Sequence, residues 1–184
     1  ASALTGQTMT VKAAALTISV SSVPIAQTVI AGVNQFEFAR YILDASGSCE
    51  DLRLTSLPLE YNVPSGTASD LTNCKLYDGA TVLNASDVKN PSAAASSTAF
   101  TFDGSGLNVS KGTSKQLALK CDLKASATGS YAWGYDSGSS PSPTGLISGH
   151  SASLTENDNA GQTMTAATSG TLAVYLDSAS PAYA

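Results

Sequence analysis

Gln116-Leu117-Ala118-Leu119-Lys120-Cys121-Asp122-Leu123 decides the fold class, because Leu117, Leu119, Cys121 and Leu123 alternate with Gln116, Ala118, Lys120 and Asp122. A period of two places alternate side chains on opposite faces of an extended chain, so the stretch predicts a half-buried β-strand. The period recurs on the N-terminal side. Leu16, Ile18 and Val20 alternate with Thr17 and Ser19, and Phe36, Phe38 and Arg40 with Glu37 and Ala39. Leu52 and Leu54 are even-numbered whereas Leu57 and Leu59 are odd, and a one-residue shift turns every side chain to the other face. Either a β-bulge or a change of sheet is expected at Thr55-Ser56.

Turn signals separate these runs. Residues 75–83 read as two short strands about Asp78-Gly79, Phe100-Thr101-Phe102 leads into Asp103-Gly104-Ser105-Gly106, and Val109-Ser110-Lys111-Gly112 marks another turn. Tyr131-Ala132-Trp133-Gly134-Tyr135 closes the set. About eight or nine strands fit between residues 9 and 136, at roughly 8–12-residue spacing, which is the pattern of an all-β sandwich. Residues 93–99, rich in Ser and Ala without an apolar stripe, read as a loop. Beyond Asp136 the Ser/Pro/Gly stretch Ser137-Gly138-Ser139-Ser140-Pro141-Ser142-Pro143-Thr144-Gly145 reads as a linker.

Composition narrows the class of partner. Of 184 residues 12% are charged, against roughly 25% in average globular proteins, while Ser and Thr fill 47 positions. Nine Lys+Arg against fourteen Asp+Glu leave a net charge of −5, which disfavours nucleic acid and anionic membrane surfaces. No apolar run approaches the roughly 18 residues of a membrane helix, so no membrane insertion is expected. Ala1-Ser2-Ala3-Leu4-Thr5-Gly6 has neither the basic nor the apolar region of an export signal, and the chain is read as mature or excised from a longer protein.

One repeat stands out. Gly161-Gln162-Thr163-Met164-Thr165 reproduces Gly6-Gln7-Thr8-Met9-Thr10 letter for letter, at an offset of 155 residues. With one residue inserted, Leu172-Ala173-Val174-Tyr175-Leu176 then aligns with Leu16-Thr17-Ile18-Ser19-Val20. Self-similarity at domain length is the mark of an array. The expected organisation is a sandwich over residues 1–136, a linker over 137–160, and a connecting strand over 161–184 that opens the next repeat or packs on a neighbouring subunit. Met164, Leu172, Val174 and Leu176 would supply that strand's apolar face.

These segments carry a family resemblance. Residues 170–181, their counterpart 16–24, the turn Val29-Ile30-Ala31-Gly32 and the strand Glu50-Asp51-Leu52-Arg53-Leu54-Thr55-Ser56-Leu57 resemble the tandem Ig-like β-sandwich repeats of large bacterial cell-surface and S-layer proteins. In those repeats a G-T-L-x-V-x-L-D…P strand opens each domain and a V-x-x-G turn follows. The resemblance implies an Ig-like antiparallel β-sandwich with an extended C-terminal strand segment. It also implies an extracellular structural subunit of a surface layer, sheath or filament, with copies of itself as partners.

Residues with chemical potential are few. The single His150 lies in a Gly/Ser loop without a partner that would orient it, and no phosphate loop or paired catalytic acids can be read, so no enzyme is expected. Glu50-Asp51 reads as the solvated start of a strand. Glu156 and Asp158, in Glu156-Asn157-Asp158-Asn159, offer hard oxygen ligands and are candidates for calcium, the one possible cofactor. Asn84-Ala85-Ser86 and Asn108-Val109-Ser110 satisfy the N-glycosylation rule. Three cysteines, Cys49, Cys74 and Cys121, allow at most one internal disulfide. Strand parity points Cys74 and Cys121 inward, while Cys49–Cys74 closes the shortest loop and is the expected pair. Tyr131, Trp133 and Tyr135 share a strand face and are either core or, in an adhesin-type binding module, an aromatic platform for carbohydrate or protein.

Overall fold

The computed structural model describes residues 13–169. The alternating segments become β1 (Ala15–Val20), β2 (Gln27–Ile30), β3 (Phe36–Asp44), β4 (Leu52–Leu54), β5 (Ser56–Ser65), β6 (Leu71–Asp78) and β7 (Thr81–Val82). They continue as β8 (Ala95–Thr101), β9 (Leu107–Val109), β10 (Ser114–Leu123), β11 (Ser130–Gly134), β12 (Thr144–Gly145), β13 (Ser153–Glu156) and β14 (Met164–Ala167). Among the described residues the only helical piece is one 3₁₀ turn, Ala68–Asp70. The fold is an all-β sandwich, with a six-stranded sheet in the order β13-β1-β3-β10-β6-β7 and a five-stranded sheet in the order β2-β14-β11-β5-β8. A small third sheet, β12-β4-β9, completes it.

Inward faces of the two large sheets form one core. Leu16, Ile18, Phe38, Tyr41, Leu43, Leu117 and Leu119 come from the first, and Leu57, Leu59, Tyr61, Trp133 and Met164 from the second; all are buried. Each fully buried Leu or Phe side chain contributes about 1.5–3 kcal/mol through removal of apolar surface from water. Phe38 and Tyr41 both face inward because the register between β3 and β10 shifts at Leu119/Lys120, so the simple alternation through Arg40 breaks there. At Thr55 the chain changes sheet: β4 pairs with β9 and β12, β5 with β8 and β11. Between β6 and β7 the loop is Gly79-Ala80, with Gly79 at a positive φ of 60°.

Four expectations are corrected. Cys74 bonds Cys121, not Cys49. The reason is topological, since β6 and β10 are hydrogen-bonded neighbours, while Cys49 sits exposed in the loop after β3. Residues 137–160 are not a linker, because β12 pairs with β4 and β13 extends the six-stranded sheet beside β1. Met164 does not open a second domain or pack on a neighbour; β14 lies between β2 and β11 of its own sheet. Residues 95–101 form an edge strand rather than a loop, exposed along most of its length. Leu172, Val174 and Leu176 lie outside the described residues.

The pairing is antiparallel except for two ladders, and these set the path of the chain. β1 runs parallel to β13, and β2 parallel to β14. The first and last segments of the sandwich therefore cross from the six-stranded to the five-stranded sheet side by side. Their direction follows from β3. Thr17 pairs with Asp44 at the end of β3 and Val20 with Tyr41 further back, whereas Gly32 and Val33, just past β2, bond Leu123, close to where β10 pairs with Phe36 at the start of β3. The path from β1 to β2 thus runs from one pole of the sandwich to the other, with the path from β13 to β14 beside it.

Candidate functional site

The poles and the terminal strands are the surfaces this topology offers to neighbours. At the proximal pole, where β1 begins, the Ala15 amide donates to Ser48 Oγ at 3.3 Å and the Ser153 amide to the Ala14 carbonyl at 2.8 Å. Nearby, residues 146–150 form a loop carrying Leu146 and Ile147, the latter 83% exposed. Glu50 holds this loop in place. Its carboxylate accepts the Ile147 amide at 2.7 Å, the Ser148 amide at 2.9 Å and the Ser148 hydroxyl at 2.6 Å. These bonds, led by the Ser148 hydroxyl, hold the Glu50 carboxyl below its ordinary range. Glu50 is thus a buried clamp rather than the solvated strand start expected of it, and nothing linear could reveal a partner 98 positions away.

Towards the distal pole the apolar side chains Val23, Ile25 and Ile30 stand exposed on β2 and on the segment leading into it. Among the described residues, the exposed large hydrophobic side chains are these three, Leu146 and Ile147. The closing strand β14 occupies the slot between β2 and β11. Met164 is fully buried opposite Tyr131 and Gln27, Ala166 faces the same way, and the Thr165 hydroxyl lies 3.1 Å from that of Ser130. The slot is tied at both ends, by reciprocal Tyr135–Asn159 backbone bonds before the strand and by the Ala31 amide on the Ala167 carbonyl at 2.8 Å after it. Gly161 has φ +79°, and a Cβ there would overlap the Trp133 carbonyl, so only glycine fits.

Other candidate residues take structural places. Tyr131, Trp133 and Tyr135 are all buried, so they form core and not a platform. Trp133 stacks on Tyr61 with ring centroids 4.5 Å apart and meets the edge of Phe100 at 5.6 Å. The Tyr131 hydroxyl donates to Asp70 at 2.7 Å and is pushed up to about 12, mainly by burial. Tyr135 is likewise raised by burial and donates to Glu156. Glu156 also accepts the Ser140 hydroxyl at 2.8 Å, and Asp158 accepts the Ser137 amide at 2.7 Å. Both carboxylates thereby fasten the loop after β11, and among the described residues no cluster of three or more His, Cys, Asp or Glu side chains gathers around them. Asn84 is fully buried with both ends of its amide engaged, accepting from Leu76 and donating to Asp87, so in the folded chain it is closed to a glycan. Asn108, on the edge strand β9, is exposed. His150 lies exposed in the Glu50-anchored loop.

No family model and no curated protein matches the chain. Among solved structures it is similar to the seventh ScaB type I cohesin from Pseudobacteroides cellulosolvens, with 12% identity over 88% of this chain and 98% of that one and a TM-score of 0.41. No described helix is long and apolar enough to cross a membrane.

Proposed function

We propose that the chain is a non-enzymatic structural module of an extracellular assembly of the surface-layer, sheath or filament kind, joined head to tail to copies of itself. The observation that carries the reading is the path of the chain: β1 starts at one pole and β14 ends at the other. Successive modules can then stack along one axis without a return connection. The recurrence of the Gly-Gln-Thr-Met-Thr sequence after 155 residues supports it, because the described module has very nearly that length. The exposed apolar side chains support it too, since Leu146 and Ile147 sit at the proximal pole and Ile30 at the distal one, where neighbours in a row would meet. A disulfide on adjacent core strands suits an oxidising, extracellular setting.

The test is a two-module protein in which Thr171 is followed directly by Leu16 of a second copy. Small-angle scattering is expected to give a rod with about twice the longest dimension of the single chain. A compact, side-by-side particle, or a second copy that fails to fold, refutes the reading.

A further inference from the structure

Of the five residues repeated at the two ends of the chain, three are ones the β14 slot demands. Position 161 tolerates no Cβ, position 164 is fully buried against Tyr131, and position 165 places a hydroxyl against Ser130. The earlier copy supplies the same three residues at the same spacing, Gly6, Met9 and Thr10. The next inward position, Ala166, corresponds to Val11, an apolar side chain two methyls larger, and the outward Ala167 to Lys12. We infer that residues 4–12 are themselves a closing strand, made to fill the slot between β2 and β11 of a preceding module that has no β14 of its own, since wherever residues 164–167 are present that slot is already taken. The inference rests on the head-to-tail reading and names the joint within it.

The slot cannot be the chain's own. Val11 is four positions before Ala15, a reach of about 14 Å at most. β1 alone, six residues long, covers about 20 Å, and the slot begins only beside Gln27, further along the same path towards the distal pole. Residues 4–12 therefore cannot reach the slot of their own module, which β14 already fills, and the slot their sequence matches is that of a preceding one. Only Ala13 and Ala14 then separate one module's closing strand from the next module's β1, and Ala14 is already buried and bonded through its carbonyl to Ser153.

The experiment uses the full chain with a protease site inserted between the exposed residues Asn157 and Asp158, so that cleavage leaves β14 held without a covalent link. After cleavage the protein is unfolded, freed of the β14 fragment and refolded with fluorescent peptides, and retention is read by gel filtration. A peptide of residues 159–169 and one of residues 4–12 are both expected to be captured at one per chain. Gly6→Val and Met9→Asp versions of the second peptide are expected to bind at least tenfold more weakly. Capture of 159–169 but not 4–12, equal capture of the variants, or capture of neither peptide overturns the inference. A rod in the two-module scattering alongside any of those results would leave the head-to-tail reading standing, so the two failures are distinguishable.

Discussion

Single side chains in this module carry more than their sequence neighbourhood advertises. Met164 was legible as apolar and strand-borne, but not as core, because the surface it meets on β11 lies more than thirty positions upstream. Its truncation in Met164→Ala should lower unfolding free energy by about 2–5 kcal/mol, the range for losing a buried Met with partial collapse of the cavity, measurable by urea denaturation. Glu50 was read as solvated because an acid at a strand start is ordinarily so. Its hydrogen-bonded carboxylate makes a prediction about pH. The folded-state value lies below the ordinary 4.5, so the carboxylate contributes stability above that pH, and the contribution is lost as pH falls through the lowered value. Asp103, held down by bonds led by the Ser86 hydroxyl, and Asp158, held down by the Ser137 amide, act in the same direction. Melting temperature should be nearly level from pH 7 to 5 and drop below about pH 4.5, and Glu50→Gln should flatten part of that drop.

At the scale of elements, periodicity was readable wherever a strand has one wet and one dry face. β1, β10 and the pair β4–β5 are of that kind, and of the two readings of the parity change at Thr55, a bulge or a change of sheet, the fold takes the second. It failed where no face is dry. β8 and β13 are edge strands with scarcely a buried side chain, so their sequences look like loop, and the linker expected over residues 137–160 was an edge strand and a two-residue bridge strand in disguise. The disulfide failed for another reason: loop length favoured Cys49, but strand adjacency decides which sulfurs meet, and only the sheet order shows that β6 and β10 are neighbours. Closing a loop across 47 positions, the Cys74–Cys121 bond should contribute about 2–4 kcal/mol. Reduction, or Cys121→Ala, should shift the urea midpoint accordingly, whereas Cys49→Ala should leave it within about 0.5 kcal/mol.

On the scale of the whole molecule, the repeated pentapeptide was visible at once, yet its meaning was inverted. It looked like the opening of a second domain; the sheet order makes it the end of the first. The strands nearest the two ends of the described chain, β1 and β14, are each gripped on both sides, β1 by β13 and β3, β14 by β2 and β11. Their inter-strand bonds run across or aslant the strands, and β1 begins at one pole while β14 ends at the other. Tension drawn through a row of such modules would therefore try to slide each terminal strand lengthwise past two partners at once, instead of peeling it away one bond at a time. Several bonds must fail together in that geometry, so the same parallel ladders that fix the path of the chain also place its greatest resistance along the axis of pull.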